Sequence, residues 1–182
     1  MEDDDVENND FYTNLEKEMV NRAFKNVGID NYPPRLYNAL QDYLDVRMLE
    51  TTQPGQIDYK QILFMENKND IMYRGFMILG IGLIDEKPCL NISHVMISPR
   101  GGNLLNSNLK LILENNQQLQ SILIKDVISR TVRSKFQING WKIMVDGSVY
   151  LKKQGGGKKK RSSSTKKYRR KRIRKRRSYK QL

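Results

Sequence analysis

The stretch SPRGGNLLN, Ser98–Asn106, combines an arginine with two glycines, residue types that can together bind an anion. A segment that alternates like a β-strand precedes it, and a segment with helical spacing follows it. An arginine and two glycines at such a junction can hold a phosphate, because unpaired backbone N–H groups and the positive end of the helix dipole meet there. The same residues also suit a plain turn that reverses the chain. The local residues leave both interpretations open.

Residues for acid–base chemistry are few. His94 is the one histidine, and strict alternation puts it on the strand face shared with Leu90, Ile92 and Met96. That position suits a core histidine as well as a catalytic base. Glu66, Asp70 and Asp85 lie near strand ends, where a carboxylate base can act, and solvated turn charges are the alternative. Nothing in the sequence selects among these three carboxylates, and we take His94 and Glu66 as the candidate catalytic residues.

Charge divides the chain into three parts. Residues 1–10 hold six acids and no base, which predicts a disordered acidic head. Residues 1–151 hold 16 Lys and Arg against 20 Asp and Glu, which leaves a net charge of −4. Residues 152–182 hold 17 Lys and Arg and no acid, so this tail carries all the basic excess behind the overall charge of +13. Glycines 155–157 are typical of a flexible linker within it.

Between head and tail, residues 11–151 show the apolar patterns of one mixed α+β domain. Helical and strand periodicities alternate with polar turns. The predicted helices are 11–27, 34–50, 103–116 and 129–138, and the predicted strands are 59–66, 72–84, 89–98, 121–127 and a hairpin over 141–151. This order predicts a mostly antiparallel central sheet flanked by helices. The single cysteine, Cys89, excludes an intramolecular disulfide, and no spacing of ligands predicts a metal site.

The order of these elements resembles that of the GNAT superfamily of acyl-CoA-dependent N-acyltransferases. In that family the fourth strand ends in a hydrophobic-x-Pro step, and an Arg- and Gly-rich turn then opens a Leu-rich helix. Ile97-Ser98-Pro99, followed by RGG and two leucines, is similar to that pattern. A glycine–aromatic step after a short helix is matched by Gly140-Trp141. The resemblance spans residues 34–151.

The resemblance implies that backbone N–H groups of this turn bind the pyrophosphate of acetyl-CoA and that a primary amine attacks the thioester. The cofactor-binding residues it implies are Ile97, Pro99, Arg100, Gly101, Gly102, Asn103 and Asn108. The sequence departs from the family where Asn103 and Leu105 hold positions of small residues. It departs again at Phe136, where many members carry a tyrosine that protonates the leaving thiolate. We therefore expect a GNAT-like domain with weakened, altered or lost activity, which binds acetyl-CoA or no cofactor.

The tail predicts a nucleic acid partner. Residues 158–182 contain 15 Lys and Arg, and phosphates neutralised by such side chains release counterions, which drives binding. The predicted contacts are Lys158, Lys159, Lys160, Arg161, Lys166, Lys167, Tyr168, Arg169, Arg170, Lys171, Arg172, Arg174, Lys175, Arg176 and Arg177. Two of these clusters also match nuclear-localisation signals, which adds a nuclear import receptor as a partner. The choice between DNA and RNA stays open.

Two functions follow from these observations. One is a weakened acetyltransferase that the tail tethers to nucleic acid, and the other is a non-enzymatic structural or packaging protein that binds nucleic acid. The chain is rich in Asn, Lys and Ile, like many proteins of large DNA viruses. We expect a nuclear or virion location, or the cytoplasm for a protein of a viral factory. No run of about 18 apolar residues is present, so we expect no membrane partner.

Overall fold

The computed structural model describes residues 4–28, 31–48, 56–101, 103–127 and 130–153. The predicted basic tail from residue 154 onward, with its linker and every predicted nucleic acid contact, lies outside these residues. Gly102 and Ser129 also lie outside them. Statements about the structure below refer to the described ranges.

Four helices and six strands lie within the described ranges. The helices are α1 (Asp4–Phe24), α2 (Leu36–Arg47), α3 (Leu104–Asn115) and α4 (Arg130–Ile138). The strands are β1 (Lys60–Lys68), β2 (Ile71–Ile84), β3 (Lys87–Ser98), β4 (Ser121–Ile124), β5 (Lys142–Ile143) and β6 (Val149–Lys152). None of the described helices combines the length and the apolar character that crossing a membrane requires.

The six strands form one sheet in the order β1-β2-β3-β4-β6-β5. Neighbouring strands run antiparallel except β3 and β4, which are parallel and are joined by the crossover helix α3. Parallel neighbours require such a crossover, whereas the antiparallel pairs need only short turns such as Asn69-Asp70 and Asp85-Glu86. The prediction of a mixed α+β domain with a mostly antiparallel sheet is therefore confirmed.

The main hydrophobic core lies between one face of this sheet and the helices α2 and α3. Alternate residues of the central strands, Met77, Leu79 and Ile81 among them, point into it. From the helices it takes Leu36, Leu40, Leu44, Leu109 and Ile112, all fully buried at helical spacing. This core fixes α3, and with it the turn that precedes α3, against the sheet.

Helix α1 packs against β2 and β3 outside that core. Val20 is only 1% exposed, and neither it nor the buried Phe76 belongs to the main cluster. Phe76 directly precedes Met77 in β2, and the side chains of successive strand residues point to opposite faces, so Phe76 lies on the other face of the sheet. The helix begins at Asp4 and not at Phe11. The predicted helix start at Phe11 is therefore seven residues late, and the disorder expected for residues 1–10 stays a prediction.

Strand β6 ends beside the beginning of β4. Ser121 pairs with Lys152, and the next residue, Lys153, donates its backbone N–H to the Gln120 carbonyl at 2.8 Å. The Lys153 ammonium donates to the Asn116 carbonyl at 2.7 Å, just beyond the C-terminus of α3. Because β3 and β4 are parallel, this is the end of the sheet where β3 begins. The turn after β3 lies at the opposite end.

Candidate functional site

Residues 99–103 form the turn between β3 and α3. Gly101 has φ +114° and Asn103 has φ 51°, the left-handed region that glycine and asparagine adopt with least strain. Pro99, Arg100, Gly101 and Asn103 are all exposed. A Cβ atom placed on Gly101 would meet nothing within 4 Å. The turn is therefore open to solvent, and of the predicted turn residues Gly102 alone lies outside the description.

Helix α3 begins at this turn with free backbone donors. Asn103 is its N-cap residue and makes no side-chain cap hydrogen bond. The N–H of Ser107 is the first to bond in the helix, to the Asn103 carbonyl at 3.2 Å, so the N–H groups of Leu104, Leu105 and Asn106 have no acceptor among the described residues. The first turn of α3 also contains no acid. The positive end of the helix dipole is therefore available to an anion.

Strand β3 extends past its parallel neighbour beside this turn. The pairing of β3 with β4 covers only residues 89–92 and 121–124, and it ends where the Lys125 N–H donates to the Ile92 carbonyl at 2.9 Å. From His94 to Ser98, β3 pairs with β2 alone among the described strands. Crevices at the carboxyl ends of such strands are the usual ligand sites of sheets that contain parallel pairs. The separation opens one side of β3 next to the N-terminus of α3.

The side chain of Arg100 contacts α1. Its Nε donates to Oε2 of Glu16 at 2.7 Å, across 84 residues of sequence. This charge-assisted hydrogen bond raises the pKa of Arg100 further above its ordinary value, so the guanidinium is cationic at any physiological pH. The two side chains stay 46% and 30% exposed. Sequence reasoning identified Arg100 but gave no signal for Glu16.

Two other residues that the resemblance implies as cofactor contacts, Asn108 and Ile97, contact the interior of the domain. Asn108 is buried, and its Nδ2 donates to the Leu104 carbonyl at 2.9 Å, one turn earlier in α3. Ile97 is half-buried and packs against the main core. Neither side chain faces the open surface of the turn. Among the described residues of this region, the groups that can contact an anion are therefore the side chains of Arg100 and Asn103 and the backbone of Gly101 and of residues 103–106.

Phe136 occupies a packed position. It is 7% exposed and meets Trp141 edge to face, with 4.9 Å between ring centroids and 67° between ring planes. Trp141 in turn donates its indole N–H to Oδ1 of Asn106 on α3 at 2.8 Å. The aromatic step that carried the resemblance therefore holds α4 and β5 to α3. Phe136 itself has no proton to donate.

The predicted placement of His94 on the face of Leu90 and Ile92 is wrong, although His94 does share a face with Met96. A β-bulge at Ser93 shifts the register, so that Ile92 stays opposite Leu79 on the core face while His94 lies opposite Ile78 on the other face. The Ser93 hydroxyl donates to the Ile78 carbonyl at 3.2 Å and holds this bulge. His94 is exposed, and its Nδ1 lies 3.3 Å from the Ser93 hydroxyl. No carboxylate is seen to orient its ring within the described residues.

Glu66 lies at the same end of the sheet as the turn. It pairs with Tyr73 across β1 and β2, and the next residue of β2, Arg74, pairs with Ser98 at the end of β3. Glu66 is thus two strands from Pro99, about 10 Å at the usual spacing of strands. It is half-buried, and its Oε2 is fully buried with no hydrogen-bond partner among the described residues. A buried carboxylate oxygen of this kind is usually satisfied by water or by a group that binds from outside.

Comparison with known proteins gives this chain no family. No protein-family model matches the sequence, and no curated protein matches it either. The described residues contain no group of three His, Cys, Asp or Glu side chains that could hold a metal ion. The chemistry of the site therefore has to be inferred from its own atoms. These offer free N–H donors, one guanidinium and one unpaired carboxylate oxygen at one end of the sheet.

Proposed function

We propose that the described domain is a GNAT-like acyl-CoA-binding domain with weakened acetyl transfer, which the basic tail tethers to nucleic acid. The observation that supports the first half is the arrangement of β3, the turn at residues 99–103 and α3. These elements bring N–H groups that have no acceptor among the described residues beside the opening between two parallel strands. That arrangement suits a pyrophosphate, which needs several convergent donors and little side-chain bulk.

The candidate base of such a reaction is Glu66. A primary amine must lose a proton to attack a thioester, and a half-buried carboxylate with an unpaired oxygen can accept it. His94 is less suited, because the bulge at Ser93 turns it to the face opposite the main core. Glu66 instead lies on the core face with Tyr73, at the end of the sheet where the turn opens.

The weakness of the proposed activity follows from Phe136. Where a phenol would protonate the leaving thiolate, a buried hydrocarbon ring packs on Trp141. Loss of general acid assistance lowers a rate by about 10²–10⁴. CoA thiolate is nevertheless a good leaving group, so slow transfer from acetyl-CoA to an amine remains feasible.

The second half of the proposal rests on charge. The 15 Lys and Arg of residues 158–182 follow a domain whose net charge is −4 over residues 1–151. Polyanions will therefore bind the tail and not the domain, with an affinity that falls steeply as salt rises. The alternative function, a non-enzymatic structural or packaging protein that binds nucleic acid, is favoured by Phe136 and by Asn103 and Leu105 at the positions of small residues. In that case the same tail binds nucleic acid and the domain binds no CoA.

Titration of the full chain with acetyl-CoA tests the proposal. The tail also attracts anions, so the decisive comparison is between two variants that each add one negative charge. Asn103→Asp puts the charge at the N-terminus of α3, where it stabilises the helix but repels a pyrophosphate. Gln117→Glu puts the same charge on an exposed residue beyond the other end of α3. We expect calorimetry to show affinity lowered about tenfold by the first variant and unchanged by the second.

Two results would contradict the proposal. Absence of any heat with millimolar acetyl-CoA would show that the domain has no acyl-CoA site and would favour the non-enzymatic alternative. Equal affinity for both variants would assign the binding to the tail. Thermal unfolding serves as the control, because Asn103→Asp is expected to keep or raise the stability of the domain.

A further inference from the structure

The ion pair between Glu16 and Arg100 joins two elements that lie far apart in sequence. Glu16 belongs to α1, and Arg100 follows β3 in the turn that leads to α3. With 2.7 Å between Nε and Oε2, the carboxylate puts one negative charge against the only side-chain cation of residues 99–103. Both side chains are partly exposed, so water or a ligand can reach the pair.

An anion at this turn would compete with Glu16. Arg100 would bind a pyrophosphate through the positive charge of its guanidinium, and Glu16 already neutralises that charge. The carboxylate also repels a phosphate that binds beside Arg100, because like charges disfavour each other. Both effects lower anion affinity. Glu16 therefore acts against the ligand that the rest of the turn is suited to bind.

We infer that Glu16 is an intramolecular competitor for the anion site, and that α1 is a latch which a bound anion releases from Arg100. This inference rests on the proposed function, since it describes how the same site is regulated. By linkage, whatever strengthens the contact between Glu16 and Arg100 weakens anion binding, and a bound anion weakens the contact by the same factor. The latch makes α1 responsive to occupancy of the turn.

The matched variants lie on the same helix. Glu16→Gln removes the competing charge and keeps the shape of the side chain. Glu18→Gln removes a charge two residues away, from a side chain that is 63% exposed and pairs only loosely with Arg22 at 3.6 Å. Both are tested in the full chain, so the tail contributes equally. Arg100→Gln and the double variant with Glu16→Gln complete a cycle that tells whether Glu16 acts through Arg100.

The experiment measures the dissociation constant of acetyl-CoA by calorimetry for each variant. We expect Glu16→Gln to bind about three- to tenfold more tightly than the natural chain, and Glu18→Gln to bind equally. Glu16→Gln should have a clearly smaller effect once Arg100 is replaced. Hydrogen exchange of the α1 amides near Glu16 should rise by a factor of a few when acetyl-CoA saturates the natural chain, and Glu16→Gln should show a similar rise without ligand.

Each other result counts against the inference. Equal or weaker binding by Glu16→Gln, with the natural chain binding acetyl-CoA, would show that Glu16 only positions Arg100, and the proposed function would survive. No binding by any variant would overturn both. Should Glu16→Gln unfold, Glu16→Asp retains the charge but withdraws it from Arg100, and a gain in affinity is expected there too.

Discussion

The indole Nε1 of Trp141 donates a 2.8 Å hydrogen bond to Oδ1 of Asn106 in the interior of the domain. Trp141 is 2% exposed and Asn106 is 7% exposed, so neither group can exchange this partner for bulk water. The bond connects the segment that leads into β5 with the first turns of α3. Through it, the geometry of the free N–H groups at the start of α3 depends on a residue 35 positions later.

Asn106→Ala should therefore destabilise the domain by about 1–3 kcal/mol, because the buried indole N–H loses its only acceptor. Urea unfolding followed by Trp141 fluorescence measures the change. Asn115→Ala removes the same side chain from an exposed position near the end of the same helix, and it should cost under about 1 kcal/mol. Equal losses in the two variants would mean that the buried hydrogen bond contributes nothing specific.

Phe136→Tyr should raise acetyl transfer. A phenol at this position supplies a proton for the leaving thiolate, and the expected gain in kcat is about 10- to 100-fold. Release of free CoA thiol from acetyl-CoA, with a small primary amine as acceptor, measures it. Phe136→Leu is the control, since it alters the packing on Trp141 without adding a donor. A tyrosine variant that binds acetyl-CoA but turns over no faster than the natural chain would contradict the assignment.

Glu66→Gln should lower kcat about 10²-fold and leave KM for acetyl-CoA nearly unchanged. The reason is that Glu66 is proposed to take the proton of the amine and lies two strands away from the anion site. Asp70→Asn alters a carboxylate in the neighbouring turn and should have no effect. A raised KM with unchanged kcat would show that Glu66 binds substrate and is not the base. No change in either constant would show that another group is the base.

Stability should decline on the alkaline side. Burial raises the pKa of the Cys89 thiol and of the Tyr43 hydroxyl above their ordinary values, although the nearby Arg47 opposes the shift at Tyr43. Each group therefore keeps its proton in the folded state at a pH where the unfolded chain has lost it. The stability that these two protons contribute is fully present below the ordinary thiol pKa of about 8.5. It is lost as the pH rises through the raised pKa values of the folded state.

Urea unfolding between pH 7 and 10.5 measures this decline. The slope should not exceed about 1.4 kcal/mol per pH unit for each proton. Cys89→Ala should flatten the part of the profile just above pH 8.5, and Tyr43→Phe the part above pH 10. A profile that stays flat in the natural chain would show that neither group changes its proton affinity on folding.

The order of elements was predictable, and the contacts that define the site were not. Apolar periodicity located β2, β3 and α3 because their alternation depends only on which residues meet the core. The bulge at Ser93 depends on a hydrogen bond to a carbonyl of the neighbouring strand, so strict alternation gave the wrong face for His94. The pair of Glu16 and Arg100 joins residues 84 positions apart, and nothing in one sequence signals it.

The tail should account for binding to nucleic acid. A chain shortened after Lys153 keeps the contacts of β6 and of Lys153 with Gln120 and Asn116. It should lose affinity for a 20-base-pair duplex at least 100-fold at physiological salt. For the full chain, log K against log salt should have a slope of about −0.9 for each phosphate neutralised on duplex DNA. A full-length chain with a shuffled tail should bind like the natural one, and equal binding by the shortened chain would contradict the tail's role.

The position of the end of β6 limits how far the basic tail can extend toward the turn at residues 99–103. Lys153 is fixed at the end of the sheet where β3 begins, while the turn at residues 99–103 lies about 30 Å away along β3. Five residues extend at most about 18 Å, so a polyanion bound at Lys158 stays on the far side of the domain. From Arg169 onward the tether exceeds about 50 Å and can pass around it. A tethered domain would therefore sample acceptors throughout a sphere around its anchor, at a local concentration that the length of the tail sets.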